Sequence, residues 1–141
     1  MQMKKIAVIG AGTMGQGIAE MLAANGLDVY LAEKTPELLA LSREKIELSL
    51  DKQIEKWSLT ETEKKVILSR IHNIQHIERV SECDMVIETV SEDMETKLDV
   101  FAKLDSLCAP DVILASNTST LSLTELAGAT AHPERGIGLH F

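Results

Sequence analysis

Residues 6–17 read IAVIGAGTMGQG, so a short apolar run passes directly into three glycines spaced as G-x-G-x-x-G. This order predicts a β-strand, a tight turn and the start of a helix, because a chain leaving a parallel strand must turn sharply and expose backbone N–H groups. We expect Gly10 to make the turn, Gly12 to admit a diphosphate to the main chain, and Gly15 to let the helix pack closely on the strand. Residues 3–33 therefore indicate a βαβ unit that binds a dinucleotide; a glycine turn without a ligand is the alternative.

An acidic residue, Glu33, ends the predicted second strand. A carboxylate about 20 residues beyond the glycines can accept hydrogen bonds from ribose hydroxyls, and it repels a 2′-phosphate. The pattern favours NAD over NADP as the cofactor, although the adjacent Lys34 weakens that preference. The cofactor contacts expected from this unit are Gly10, Ala11, Gly12, Thr13, Met14, Gly15 and Glu33.

Length and composition point to one compact domain. The chain has 141 residues, is 45% hydrophobic, and carries a formal net charge of −8. Such an acidic balance argues against nucleic acid or an anionic membrane as partners, since both require concentrated Lys and Arg. No apolar run approaches the roughly 20 residues of a membrane span, and no secretory signal pattern opens the chain. We therefore expect a cytoplasmic protein, or one in an organelle matrix after processing.

The cysteines and histidines do not suggest a metal site. Cys83 and Cys108 lie far apart and outside any C-x-x-C motif, so we interpret them as reduced thiols in or near the core. His72 and His76 are four residues apart but have no other candidate ligand nearby in the sequence. Exposed polar histidines are therefore the preferred interpretation over zinc.

The remaining chain predicts an α/β fold, a Rossmann-type doubly wound parallel sheet of order 3-2-1-4-5-6. Residues 1–141 would form one NAD-binding domain, with a pair of helices inserted at about 36–70. Ser122, followed by Glu125 three residues later, is expected to cap a short helix that ends at about Gly128. The other expected elements are helices at about 36–57, 58–70 and 92–109 and strands at about 71–75, 84–90, 112–115 and 136–141.

The predicted helix at 36–57 separates into three stripes when projected at 100° per residue. The apolar stripe, which should be buried, contains Ile46, Leu50, Ile54 and Trp57. An acidic stripe contains Glu44, Glu47, Asp51 and Glu55, and a basic stripe contains Lys45, Ser49, Lys52 and Lys56. In so acidic a chain the basic stripe is a natural place for an anionic ligand; a solvated amphipathic helix is the alternative.

Three further places could carry chemistry at the carboxyl edge of the sheet, and the first is the polar stretch from Glu88 to Glu92 after the fourth strand. Residues 116–120 read SNTST and follow the fifth strand; they could form a simple turn, but Ser122 as the cap would leave the Ser119 hydroxyl without a structural task. His140 lies in the last apolar run, where it could be a core histidine. Oxidation of an alcohol by NAD requires a base for the hydroxyl proton, and imidazole is the usual choice.

Several motifs together resemble one family. They are residues 10–19 (GAGTMGQGIA), 84–88 (DMVIE), Glu92 with Lys97, 113–119 (ILASNTS) and 138–141 (GLHF). These motifs are similar to those of the NAD-binding domain of the 3-hydroxyacyl-CoA dehydrogenases, and most of all to the bacterial 3-hydroxybutyryl-CoA type. The resemblance covers the whole chain. It implies oxidation of (S)-3-hydroxyacyl-CoA to 3-oxoacyl-CoA by hydride transfer to NAD.

The resemblance also implies roles for individual residues. His140 matches the base that takes the proton from the substrate 3-hydroxyl, and Ser119 matches a serine that touches substrate and nicotinamide. Glu33 matches the ribose-binding acid, which is more often Asp in the family. The other matched positions are Glu92 and Lys97 as cofactor contacts and Ser49 and Lys56 as contacts to coenzyme A.

The chain departs from the family pattern at its end. In the family, His-Phe continues into Phe-Asn-Pro, a Glu that holds the other imidazole nitrogen, and a helical domain that closes over the acyl chain and forms the dimer. These features are not within the 141 residues, so we expect the isolated chain to be inactive and the full-length form to be a homodimer. Two other hypotheses are a non-catalytic module that binds NAD or CoA, and a β-hydroxyacid dehydrogenase acting on a free acid.

Overall fold

Six parallel strands form one sheet in the order β3-β2-β1-β4-β5-β6. The computed structural model describes residues 2–90, 93–117 and 120–139, with the backbone only at 120–122. The strands are β1 Lys5–Ile9, β2 Asp28–Ala32, β3 Ile71–Ile74, β4 Met85–Glu88, β5 Ile113–Ser116 and β6 Gly136–Gly138. The helices are α1 Thr13–Ala24, α2 Pro36–Glu55, α3 Glu61–Ser69, α4 Met94–Leu107 and α5 Thr120–Gly128, with 3₁₀ turns at Ile77–Glu82 and Pro133–Arg135. The predicted fold class and strand order are confirmed.

Both faces of the central strands are covered, which explains their continuous apolar runs. Val8 and Leu31 point to the side covered by α1, α2 and α3, whereas Ala7 and Val86 point to the side that contains Phe101 of α4. All of these side chains are at most 1% exposed. The sheet therefore forms a rigid platform, and its carboxyl edge is the surface on which loops can build a site.

The apolar stripe of α2 is only partly as predicted. Ile46 and Leu50 are buried, but Trp57 is 95% exposed, so its predicted burial is wrong. The helix ends at Glu55, and the Trp57 backbone adopts the left-handed φ of 60°. The Trp57 N–H donates to the Ile54 carbonyl at 3.0 Å and the Ser58 N–H donates to the Gln53 carbonyl at 3.0 Å. These two bonds form a Schellman motif, which turns the chain and removes Trp57 from the helical projection.

The predicted cap of the last helix is also wrong. Helix α5 begins at Thr120, so Ser122 lies inside its first turn. The interpretation that the Ser119 hydroxyl has no structural task assumed that Ser122 is the cap. Because Ser122 is not the cap, that assumption no longer supports the interpretation. Ser119 itself lies outside the described residues.

A buried arginine fastens the last strand to α4. One Arg135 nitrogen donates to the Asp105 carboxylate at 2.7 Å and another donates to the Ala109 carbonyl at 2.6 Å. Directly after it, a Cβ on Gly136 would lie 3.1 Å from the Ala127 Cβ, so glycine lets β6 lie close against α5. The strand was predicted to reach Phe141, but residues 140 and 141 lie outside the described part of the chain.

The two cysteines are free and buried, as expected. Burial raises the pKa of the Cys83 thiol to about 12. No described helix has the length and apolar character needed to span a membrane. Among the described residues, no three or more His, Cys, Asp or Glu side chains gather in a group that could hold a metal ion.

We predict that Trp57→Gly stabilises the protein. A side chain at a residue with left-handed φ costs about 1–2 kcal/mol. Glycine removes this cost, but it also raises the conformational entropy of the unfolded chain, which offsets part of the gain in stability. The net gain should be about 0.5–1 kcal/mol, seen as a Tm increase of about 2–4 °C in calorimetry. Trp57→Ala keeps the Cβ and should leave the Tm nearly unchanged. An equal gain from Trp57→Ala would mean that backbone strain is not the cause.

Candidate nucleotide-binding site

A pocket of about 720 Å³ opens at the carboxyl edge of the sheet. It lies where the connections from β1 and β4 leave towards opposite faces, which is the position at which doubly wound sheets bind their ligands. Its walls come from the glycine turn, the end of β2, the segment after β3 and the end of β4. The lining residues are Ile9, Gly10, Gly12, Ala32, Glu33, Lys34, Leu38, Gln75, His76, Ile77, Glu78, Thr89, Val90, Thr96, Val100 and Lys103.

Each of the three glycines has a different steric environment. Gly10 has a φ of +105°, and a Cβ there would lie 2.9 Å from Thr89 Oγ1. A Cβ on Gly15 would overlap the Gly10 carbonyl oxygen. A Cβ on Gly12 would meet no described protein atom within 4 Å. Gly10 and Gly15 are therefore required by the turn and by helix packing, whereas Gly12 leaves space that a ligand could occupy.

Helix α1 begins without the features that neutralise the starts of α2, α3 and α4. Its N-cap is Gly12, which provides no side-chain hydrogen bond, and no acid lies in its first turn. By contrast, α2, α3 and α4 begin with the capping side chains of Thr35, Thr60 and Asp93, and each has an acid in its first turn. An uncapped helix start exposes N–H groups at the positive end of the helix dipole. The start of α1 is thus suited to bind an anionic group such as a diphosphate.

Glu33 is held against the glycine turn. One carboxylate oxygen accepts from the Ala11 N–H at 2.9 Å, and the other accepts from the Lys34 N–H at 2.8 Å. The side chain is half-buried at the rim of the pocket. This arrangement places the acid beside the start of α1, where the ribose next to a bound diphosphate would lie.

Lys97 is buried rather than open to the pocket. Its ammonium donates to Glu88 Oε2 at 2.7 Å and to the Val90 carbonyl at 3.3 Å. The Ser116 hydroxyl donates to the other Glu88 carboxylate oxygen at 2.5 Å. Glu88, Lys97 and Ser116 are at most 1% exposed, and we call them the buried triad. The described contacts of the Lys97 ammonium are thus with protein groups. Its predicted contact with the cofactor stays a prediction.

Sequence reasoning placed Glu88, Thr89 and Ser116 in polar stretches at the carboxyl edge but did not predict their contacts with Lys97 and with the glycine turn. A usable signal for the burial of Lys97 was its position in α4, where it falls in the helical spacing of the apolar stripe formed by Met94, Leu98, Phe101, Leu104 and Cys108. A charged residue in such a stripe has to be paired when it is buried. Glu88 ends an otherwise apolar strand and is the corresponding partner.

Three predicted site residues, His140, Ser119 and Glu92, lie outside the described residues. Two neighbours of this group are described at the carboxyl edge. The Leu139 N–H donates to the Ser116 carbonyl at 3.0 Å, and the Asn117 N–H donates to the Glu88 carbonyl at 3.3 Å. The ends of β4 and β5 and the segment after β6 are therefore joined at this edge.

The basic stripe of α2 is a surface feature away from the pocket walls. Lys45, Lys52 and Lys56 are exposed and make no ion pair with any residue that the structure describes, and Ser49 is half-buried. On the acidic side, Glu47 pairs with Arg43 and Asp51 pairs with Lys64. The three lysine side chains are therefore accessible to an anionic ligand.

The two histidines have different surroundings. His72 lies 3.4 Å from Asp28 and its ring is 5.2 Å from that of Tyr30, at the exposed end of β3. His76 lines the pocket, which its sequence position did not reveal.

The sheet order, the glycine turn, the uncapped helix start and the acid after β2 together define a dinucleotide-binding domain. The family model described as "3-hydroxyacyl-CoA dehydrogenase, NAD binding domain" matches residues 5–141. The chain belongs to this family, whose cofactor is NAD.

Similar proteins carry related names. The 3-hydroxybutyryl-CoA dehydrogenase of Bradyrhizobium diazoefficiens is 43% identical over 138 residues, which cover 98% of this chain and 47% of that protein. The crystal structure of M. tuberculosis FadB2 superposes with a TM-score of 0.97 at 37% identity, covering all of this chain and 50% of that one. The structure of (S)-3-hydroxybutyryl-CoA dehydrogenase PaaH1 from Ralstonia eutropha gives 0.96 at 35% identity, with 99% and 50% covered. The chain spans about half the length of the curated relatives it matches.

We predict that Gly12→Ala weakens NADH binding without unfolding the protein. The backbone at Gly12 is extended and a Cβ there would meet no described protein atom, so the fold should lose only about 1 kcal/mol, the cost of alanine at an N-cap. The methyl group would occupy the space that a diphosphate needs, and NADH affinity should fall by about tenfold or more in a fluorescence titration.

The matched control is Gly17→Ala, one helical turn further along α1. A Cβ on Gly17 also meets no described atom within 4 Å, so this variant should bind NADH like the wild type. Wild-type affinity in Gly12→Ala would show that the diphosphate does not approach this glycine.

Proposed function

We propose that the chain is the cofactor-binding part of a dehydrogenase that interconverts (S)-3-hydroxyacyl-CoA and 3-oxoacyl-CoA. The observation that carries the proposal is the uncapped start of α1 at the 720 Å³ pocket, with Glu33 held beside it on the Ala11 N–H. Family membership supplies the cofactor, and the substrate class and stereochemistry are those in the names of the similar proteins.

The chain's own residues would share the work of binding and proton transfer. The N–H groups at the start of α1 would bind the diphosphate, and Glu33 would accept hydrogen bonds from the adenosine ribose. His140 would take the proton from the substrate 3-hydroxyl, and Ser119 would contact the substrate beside it. Bound NAD would accept the hydride from the substrate carbon that is oxidised.

The basic stripe of α2 would bind the coenzyme A portion of the substrate. Ser49 and Lys56 are the positions that the family resemblance implies, and the unpaired Lys45 and Lys52 lie on the same stripe. Phosphate groups are recognised by such a cluster through charge and N–H donors. A cytoplasmic location and a homodimeric full-length form remain predictions from the sequence.

The proposed function is tested by titrating the folded chain with NADH and then adding acetoacetyl-CoA. We expect saturable NADH binding. We expect little or no NADH oxidation, because the chain spans only about half the length of its relatives. A chain that is folded by circular dichroism but does not bind NADH would contradict the proposal. Rapid turnover would contradict only the expectation that residues beyond this chain complete the active site.

The substrate assignment predicts an effect of Lys56→Glu on binding of acetoacetyl-CoA. Reversing one charge beside the CoA phosphates should weaken the affinity about five- to tenfold in isothermal titration calorimetry with NAD present, and the effect should shrink as salt is added. Lys4→Glu makes the same charge change just before β1, at the opposite edge of the sheet, and should leave the affinity unchanged. Equal affinities in both variants would favour a substrate without CoA.

A further inference from the structure

Stability alone does not explain the buried triad. Removing charges from water costs several kcal/mol per ion, and apolar residues of similar volume often replace a buried ion pair without loss of stability. Glu88 and Lys97 are 0% and 1% exposed, so solvent does not reduce that cost. A geometric task is the better explanation for their presence, and their contacts indicate what that task is.

The buried triad holds both backbone polar groups of Val90. The Val90 N–H donates to Glu88 Oε2 at 2.7 Å, and the Val90 carbonyl accepts from the Lys97 ammonium at 3.3 Å. The charged pair is itself closed by the 2.7 Å bond between Lys97 and Glu88. The conformation of the chain at Val90 therefore depends on these two side chains.

The residue before Val90 is fixed to the glycine turn. The Thr89 N–H donates to the Ile9 carbonyl at 2.8 Å, and the Thr89 hydroxyl lies 3.0 Å from the carbonyl oxygens of both Ile9 and Gly10. On its other side, the Glu88 carboxylate accepts from Ser116 at the end of β5. The Glu88 carboxylate thus joins the end of β5 to the Val90 N–H, and Thr89 joins the same segment to the glycine turn.

Residues 89–90 form one end of the pocket. Glu33, Leu38 and Ile77 line its β2 side, whereas Thr89 and Val90 line its β4 side. A dinucleotide lies across the switch point of such a sheet, with its adenosine half on the β2 side. The nicotinamide half of the dinucleotide therefore begins on the β4 side of the pocket.

We infer that the buried triad positions Val90, next to Thr89 at the glycine turn, to receive the nicotinamide half of the cofactor. Glu88, Lys97 and Ser116 are positioning residues, and Lys97 acts through Glu88 and Val90. The inference rests on the NAD binding that the proposed function requires.

The test compares two ligands that differ only in the nicotinamide. The double variant Glu88→Gln/Lys97→Met removes both charges together, which avoids leaving one of them buried and unpaired. In competition titrations its affinity for ADP-ribose should stay within about twofold of the wild type, while its preference for NADH over ADP-ribose falls about tenfold. A folded double variant with an unchanged preference would overturn the inference.

The matched control is Arg135→Met, which breaks a second ion pair of α4, between the buried Arg135 and the partly buried Asp105. It should lower the stability of the protein and leave the preference for NADH over ADP-ribose unchanged. An equal loss of preference in this control would mean that general loosening of α4 is responsible, and it too would overturn the inference. Ser116→Ala, which keeps both charges, should give a smaller loss in the same direction and serves if the double variant does not fold.

A second readout needs no ligand. The Val90 amide should exchange its hydrogen faster in the double variant than in the wild type, while the Ala7 amide in β1 should not change. Unchanged protection of Val90 would contradict the positioning role. A wild-type chain that binds neither NADH nor ADP-ribose would contradict the proposed function. In that case, hydrogen exchange at the Val90 amide would still test whether the triad holds Val90.

Discussion

The close approach of the Gly10 turn to α1 and to the end of β4 is the contact on which the rest of the structure depends. A Cβ on Gly15 would overlap the Gly10 carbonyl oxygen, and one on Gly10 would lie 2.9 Å from Thr89 Oγ1. Because no side chain fits between these segments, α1 starts directly beyond β1 and its first N–H groups lie at the carboxyl edge of the sheet. The position of the pocket, the exposed N–H groups at its edge and its contact with Thr89 and Val90 all follow from this packing.

Two carboxylates then fix the backbone on either side of the turn. Glu33 binds the Ala11 N–H and joins the end of β2 to the glycine turn, while Glu88 binds the Val90 N–H and joins the end of β4 to β5 through Ser116. Acids near an anion site would oppose binding if their charge were free. Here Lys97 neutralises Glu88, and in the proposed binding mode Glu33 would face the ribose rather than the diphosphate. An acidic chain can therefore hold an anionic cofactor.

The features that could be predicted from the sequence are those set by local patterns. The glycine spacing and the alternation of apolar strands with helices were enough for the strand order, and the helical projection was right for Ile46 and Leu50. Projection failed at Trp57 because the helix ends two residues earlier and the backbone turns left-handed. The pairing of Lys97 with Glu88 joins a helix to a strand, so only tertiary packing reveals it, although the spacing of Lys97 in α4 already placed it on the buried face.

A crystal structure of the chain with bound NAD would test the central claim most directly. We expect the diphosphate on the N–H groups at the start of α1, the adenosine ribose on Glu33, and the nicotinamide half beyond Thr89 and Val90. A cofactor bound elsewhere, for example on the exposed apolar surface of Met14 and Met21 on α1, would contradict the assignment of the pocket. So would a diphosphate that does not touch the glycine turn.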